Sequence, residues 1–298
     1  MDAGVAARYR IQGVDVVVRS NDDAVLAHVR GTYGWFEVDA DLPVGDRAAT
    51  VEVALIRAAD GMTVVSDAEG RENRWRDEDQ PLVGLFDAIV AGTIAALSAN
   101  GILALHAGVV AIDGRAILIA GRSGRGKTTL VLGLLRRGLD LLSDELALVA
   151  ADDRTVLAYP RGLHIRPAAL DLFPELGFLA GVPAHVLGGG SEWAVGPDDL
   201  ERAFGTSVVA AARIGAVVLL DGDPSADAPP DLNVVPGAIA TMELLRGTPS
   251  AAWDFEGALA RLPRILADVP AARLRSGRLD ETVDAVVAWA TGPAGSER

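Results

Sequence analysis

Gly121-Arg122-Ser123-Gly124-Arg125-Gly126-Lys127-Thr128 is the stretch that decides the fold. Its spacing fits G-x-x-x-x-G-K-[ST], a phosphate-binding loop. The apolar run Arg115–Ala120 before it has the length of a strand. The leucine-rich run Thr129–Arg137 after it has the length of a helix, with Gly138 suited to the C-cap. Strand, loop and helix in that order is the context such a loop requires. The glycines let backbone N–H groups curl around phosphate oxygens, and the helix N-terminus adds partial positive charge. Lys127 is expected on the β- and γ-phosphates and the Thr128 hydroxyl on Mg²⁺, with Thr129 beside them. Lys127 is also the only lysine in the chain. A compact ammonium at this one position, among arginines everywhere else, is what a tight phosphate cradle asks for.

Outward from the loop, bulk composition narrows the class. The chain has 298 residues, half of them hydrophobic, and a net charge of −14. That is enough apolar material for a sizeable core. The acidic balance argues against nucleic acid or an anionic membrane as partner. There is no cysteine, which removes disulfides, thiolate metal sites and a cysteine nucleophile. The first residues lack the apolar core of a signal peptide. The apolar stretch Gly101–Ala120 is interrupted by His106, Asp113, Gly114 and Arg115, so no membrane span is expected there. A cytoplasmic protein is the expectation.

Along the chain, residues 9–66 read as β-rich, and Asp67–Asp79 as a charged loop or edge hairpin. Pro81–Ala99 has helical apolar spacing. Leu103–Ile112 reads as a strand joined through Asp113-Gly114, a two-residue hairpin signal, to the strand of the loop. Thr155–Tyr159 is a short strand and Pro167–Phe173 a short helix. The Gly- and Pro-rich stretch 181–199 reads as a mobile loop. Gly215–Asp221 is a buried strand. The remainder reads as helices 236–246, 254–266 and 279–291 around a strand at 271–276. His28 and His185 read as surface residues. The domain expectation is an N-terminal β-rich portion, 1–99, and an α/β phosphate-loop domain, 100–298.

A phosphate loop names a ligand, not a reaction; an acid must manage the metal or the acceptor. Asp221, ending an apolar strand, is one candidate. Asp144, close behind the loop helix, is the other. Asp144 and Glu145 are flanked by Leu141, Leu142, Leu146 and Leu148. An acidic pair in a leucine run is costly without a cation or donors, which favours a functional role.

This order of motifs resembles the HPr kinase/phosphorylase family, which shares its fold with phosphoenolpyruvate carboxykinase. Leu105-His106-Ala107 precedes the loop, and Leu141–Glu145 falls where that family carries a pair of acids. Arg161-Gly162-Leu163-His164-Ile165 is similar to its Arg-Gly signature, with His164 in place of a second glycine. The resemblance covers residues 100–170 well and 205–250 weakly. It implies ATP-dependent phosphorylation of a hydroxyl, often a serine of a protein or peptide. Asp144 would be the general base, and Glu145 would join Thr128 and Asp144 on Mg²⁺. His106 would lie near the phosphates, and Arg161 and Arg166 would face substrate. Glu145 replaces an aspartate of the family, Thr129 stands where the regulatory enzymes tend to carry an acid, and residues 235–239 lack their arginines. These departures point away from HPr and from the reverse reaction, towards another acceptor such as a peptide natural-product precursor. A small-molecule hydroxyl kinase and an ATP-hydrolysing switch are the alternatives, and a homo-oligomer is left open.

Overall fold

The computed structural model describes residues 5–39, 49–76, 80–150, 154–187, 190–222, 228–249 and 255–292. The N-terminal part runs β1 (Val5–Ile11), β2 (Val14–Ser20), α1 (Asp23–Tyr33), β3 (Thr50–Arg57), β4 (Thr63–Ser66), β5 (Glu72–Trp75) and α2 (Gln80–Ala99). Then come β6 (Leu103–Ile112), β7 (Arg115–Ala120), α3 (Lys127–Arg136), β8 (Asp140–Ser143), β9 (Leu146–Val149) and β10 (Thr155–Leu157). β11 (Leu163–Ile165), β12 (His185–Leu187), β13 (Gly190–Val195) and α4 (Pro197–Phe204) follow. The chain continues through β14 (Ala211–Leu220), β15 (Asp231–Val235), α5 (Gly237–Arg246), α6 (Phe255–Ile265), β16 (Ala271–Arg275) and α7 (Leu279–Thr291). The protein is therefore mixed α/β.

Contacts divide the chain into two compact units, residues 1–100 with 161–197, and residues 101–160 with 198–298. The sequence division placed 161–197 with the phosphate loop; here that segment groups with the N-terminal part. The reason is local. The Gly162 N–H donates to the Thr32 carbonyl at 2.7 Å, and a Cβ on Gly162 would come 2.7 Å from the Gly31 carbonyl. Only glycine lets the start of β11 close on α1.

The first unit holds a five-stranded sheet, β1-β2-β3-β4-β5, and a three-stranded sheet, β11-β13-β12. α2 lies across β2, β3 and β4, with Gly92 against Val51. Among the described residues it is the one helix long and apolar enough to cross a membrane, by length and composition alone. The β-rich reading of residues 9–66 missed α1. The Asp22 side chain caps it by accepting from the Ala24 N–H at 2.9 Å, and Val25, Leu26 and Val29 are buried. That is a capped amphipathic helix outweighing the valine content of its neighbourhood. Within that β-rich stretch, β1 and β2 form a hairpin, turned at Gln12 and Gly13 with positive φ. His28 is buried against Phe86, not on the surface; the side chain of His185 lies outside the described residues. The stretch read as a mobile loop pairs β12 with β13, and β13 is held to β11 on its other side with Trp193 and Val195 alternating into the interior; Gly188 and Gly189 lie outside the described residues. Pro167–Ala169 forms only a 3-10 turn.

The second unit is built on an eight-stranded sheet, β10-β9-β6-β7-β14-β16-β15, with β8 also paired to β6. The hairpin at Asp113-Gly114 forms with φ of 50° and 73°, as its sequence predicts. β7, β14 and β16 run parallel, so their carboxyl ends meet along one edge. One core joins Leu105, Ala107 and Val109 of β6 and Leu118 of β7 to Leu244 of α5 and Leu262 of α6. α3 packs with α7 and on β6, with Gly133 against Val283.

Candidate active site

The glycine-rich loop Gly121–Gly126 leaves β7 at its carboxyl end and turns into α3. Gly126 caps the helix at φ 86°, and Gly124 has φ 80°. A Cβ on either would point into open space, so what asks for glycine at both positions is the left-handed backbone that turns the loop. Gly121 plays a different part: a Cβ there would lie 2.8 Å from the Leu220 Cβ. Its bareness lets the loop settle on the end of β14. The Lys127 ammonium donates to the Gly121 carbonyl at 2.8 Å. Burial pushes that ammonium below its ordinary pKa, and the negative charge of Asp144 acts in the opposite direction. The donor set and the glycine-rich loop fit a polyphosphate.

β8 and β9 lie one after the other along β6. Val109 pairs with Ser143, and His106 with Leu146. Asp144 and Glu145 occupy the interruption between them. The Ser143 hydroxyl fixes this break by accepting from the Glu145 N–H at 3.2 Å and the Leu146 N–H at 3.0 Å. Opposite the break, a Cβ on Gly108 would come 2.8 Å from the Val131 side chain and 3.4 Å from the Asp144 carbonyl. Gly108 thus lets α3 and the acidic break approach β6 together. Asp144 is only 7 % exposed and Glu145 is half-buried. Two carboxylates and the half-buried Thr128 hydroxyl are hard oxygen donors of the kind Mg²⁺ takes. Among the described residues no group of three or more His, Asp or Glu forms a self-sufficient metal site. A magnesium that shares its shell with substrate phosphates needs none.

Beside the loop lies a cavity of about 550 Å³. Its walls include Gly121, Arg122 and Arg125 of the loop, His106 of β6, Asp221 after β14, Glu243 and Arg246 of α5, and Arg273 of β16. The His106 N–H donates to the Gly247 carbonyl at 3.2 Å, tying β6 to the end of α5. Asp221 accepts from Arg273 at 3.4 Å, and Glu243 from Arg246 at 3.3 Å. The sequence did not single out Glu243, Arg246 or Arg273; single charges at the end of a helix and on a strand carry no motif.

Of the expected site, then, the loop Gly121–Thr129, His106, Asp144 and Glu145 all belong to the second unit. Arg161 and Arg166 belong to the first. There the His164 ring and Glu192 are 2.7 Å apart. Burial works to raise the Glu192 carboxyl, but the bond to His164 and the charges of His164, Arg166 and Arg161 outweigh it and hold it below the ordinary range.

No protein-family model matches the chain, and no curated protein does. Among solved structures, the chain is similar to the Hpr(Ser) kinase/phosphatase from Coxiella burnetii, at 16 % identity and a TM-score of 0.30. The match covers 62 % of this chain and 93 % of that one.

Proposed function

We propose that the protein is an ATP-dependent kinase of the HPr kinase-like fold that transfers the γ-phosphoryl group to a hydroxyl, a serine of a peptide or protein. The observation that carries this reading is the acid pair set in the break beside Gly108, with buried Asp144 within charge reach of the loop lysine. The acceptor oxygen forms the new bond to the γ-phosphorus as the bond to the β–γ bridging oxygen breaks, its electron pair leaving with ADP. The acceptor proton goes to the Asp144 carboxylate. The loop N–H groups and Lys127 stabilise charge on the phosphates, and positioning supplies most of the rest. Thr128, Asp144 and Glu145 would hold Mg²⁺, which supplies charge neutralisation along the phosphates. Arg161 and Arg166 are proposed to bind acceptor. The reading assigns the protein to the cytoplasm, where ATP and Mg²⁺ are supplied.

The test is transfer from γ-labelled ATP to serine peptides, intact proteins and small hydroxyl compounds. Label is expected on a peptide or protein serine, lost in Asp144→Asn and kept in Asp221→Asn. Full transfer by Asp144→Asn with none by Asp221→Asn would show the base to be misassigned. Label on small compounds alone would turn the reading to a metabolite kinase. ATP hydrolysis with no phosphorylated product would turn it to a nucleotide-driven switch.

A further inference from the structure

We propose that the first unit holds a binding site of its own, a cavity between α1, α2 and the end of β3 that takes a small apolar monocarboxylate on Arg57. The residues that form it all lie between Asp22 and Leu82, and the proposal stands independently of the kinase reading.

One side of β3 is apolar until its last residue. Val51, Val53 and Leu55 alternate into the core, and the next position on that side is Arg57. Arg57 pairs directly with Thr63 of β4, so a guanidinium and a hydroxyl stand side by side where the apolar face ends. A cavity of about 390 Å³ opens there, within the range of small-ligand sites. Val25 and His28 of α1, Leu55 and Thr63 form its depth, each less than a tenth exposed. Pro81 and Leu82 of α2 add apolar wall, and the more open Asp22 and Arg57 form the rim.

Arg57 is held in place before any ligand arrives. Its N–H donates to the Asn21 Oδ1 at 2.9 Å, its carbonyl accepts from the Asn21 amide at 3.0 Å, and its Nε donates to Asp22 at 2.6 Å. Asp22 is engaged at the same time, because its other oxygen accepts from the Ala24 N–H at 2.9 Å. The Arg57 bond holds the Asp22 carboxyl below its ordinary range against burial, so the acid stays charged and keeps the guanidinium oriented. That bond uses Nε alone. The two terminal nitrogens are left as the pair that grips a carboxylate through parallel hydrogen bonds. With Asp22 beside it the rim is close to neutral, so a dianion such as phosphate gains little there. A monoanion whose body fills the apolar depth gains the ion pair and the burial together.

Titration calorimetry of the full chain, with no nucleotide present, tests the site. The probes are octanoate, phenylacetate, the primary amide of each, and inorganic phosphate. At least one of the two acids should bind with a Kd at or below about 1 mM, and its amide and phosphate about 10-fold or more weakly, as expected for a hydrogen bond to a charged group. Arg57→Gln should weaken the acid by about 10-fold or more. Ala27→Phe, at an exposed position of α1 on the cavity wall, keeps every charge and should abolish binding by filling the space. Melting temperatures of both variants separate loss of the site from loss of the fold. No binding by either acid, equal binding of acid and amide, or phosphate as tight as the acids would overturn the assignment on the unaltered protein alone. Acid binding kept by folded Arg57→Gln or Ala27→Phe would overturn it as well. None of these outcomes bears on the kinase reading.

Discussion

Asp15 in the first unit and Asp144 in the second are both buried carboxylates, and their surroundings are built on opposite plans. Asp15 is fully buried on β2. Arg8 donates to one oxygen at 2.6 Å, and Arg10 donates to the other at 2.8 Å. The Arg10 bond, with those from Arg8, holds the carboxyl below its ordinary range against the pull of burial. That charge is spent inside the sheet. In the second unit the charge of Asp144 acts on Lys127, whose ammonium is bonded to a neutral carbonyl, Gly121. The lysine carries a desolvation cost that its own contacts do not offset, since burial lowers its pKa in spite of Asp144. A charge network closed on itself stabilises; a buried ammonium whose pKa stays lowered, beside a glycine-rich loop, is arranged for a ligand.

Three substitutions break or sharpen that contrast. Asp144→Asn should lower phosphoryl transfer by about 10²–10⁴-fold, the range for loss of a general base, with little change in unfolding free energy; initial rates and urea melts measured together separate the two effects. Asp15→Asn should do the reverse. The buried Arg8 charge facing a neutral amide should cost about 1–3 kcal/mol, read as a fall in the urea midpoint, while the exposed Arg10 can turn to water. If Asp15→Asn unfolds like the unaltered protein, the triad is no more than a surface pair. Lys127→Met should cost about 10²–10³-fold in transfer and yet raise the melting temperature near neutral pH. The sign follows from the lowered pKa. The folded state binds this proton less readily than the unfolded state, so the penalty is present while the ammonium is charged. It is relieved as pH rises from the folded value towards the unfolded one near ~10.4. The stability gap between variant and parent should therefore close in the alkaline range.

The parts of this molecule that were legible in sequence are those whose signal is local. Gly124 and Gly126 take positive φ and Asp113-Gly114 turns a hairpin because single residues dictate those conformations. The leucines around Asp144 marked a buried acid, and it is buried. What stayed hidden depends on partners far along the chain. β15 and β16 pair across α5 and α6, so the meeting of Arg273 with Asp221 is a product of sheet order. α1 was masked by valines that read equally well as strand, its Asp22 cap being the only local sign. Gly162 resembled part of a family signature, yet its need for glycine comes from the Gly31 carbonyl, which no spacing rule reveals.

Glu192 is the intermediate case, and it is where the smallest effect should appear. Its side chain is 16 % exposed, so it lies between the sealed Asp15 and a surface acid. Burial alone would lift its carboxyl; His164, Arg166 and Arg161 reverse that, and the folded-state pKa lies below the unfolded value near ~4.3. The folded state therefore binds this proton less readily than the unfolded one. The contribution to stability is fully present above the unfolded value and disappears as pH falls through the folded one. Glu192→Gln keeps the shape and removes the charge. It should cost about 1–2 kcal/mol at neutral pH, as for one charge-assisted hydrogen bond in a partly wet setting. Urea melts of parent and variant at steps from pH 7 to pH 3 should show the gap constant at first, then closing below about pH 4. A gap that stays the same down to the acid limit of folding would mean that packing, not the carboxylate charge, joins β11 to β13.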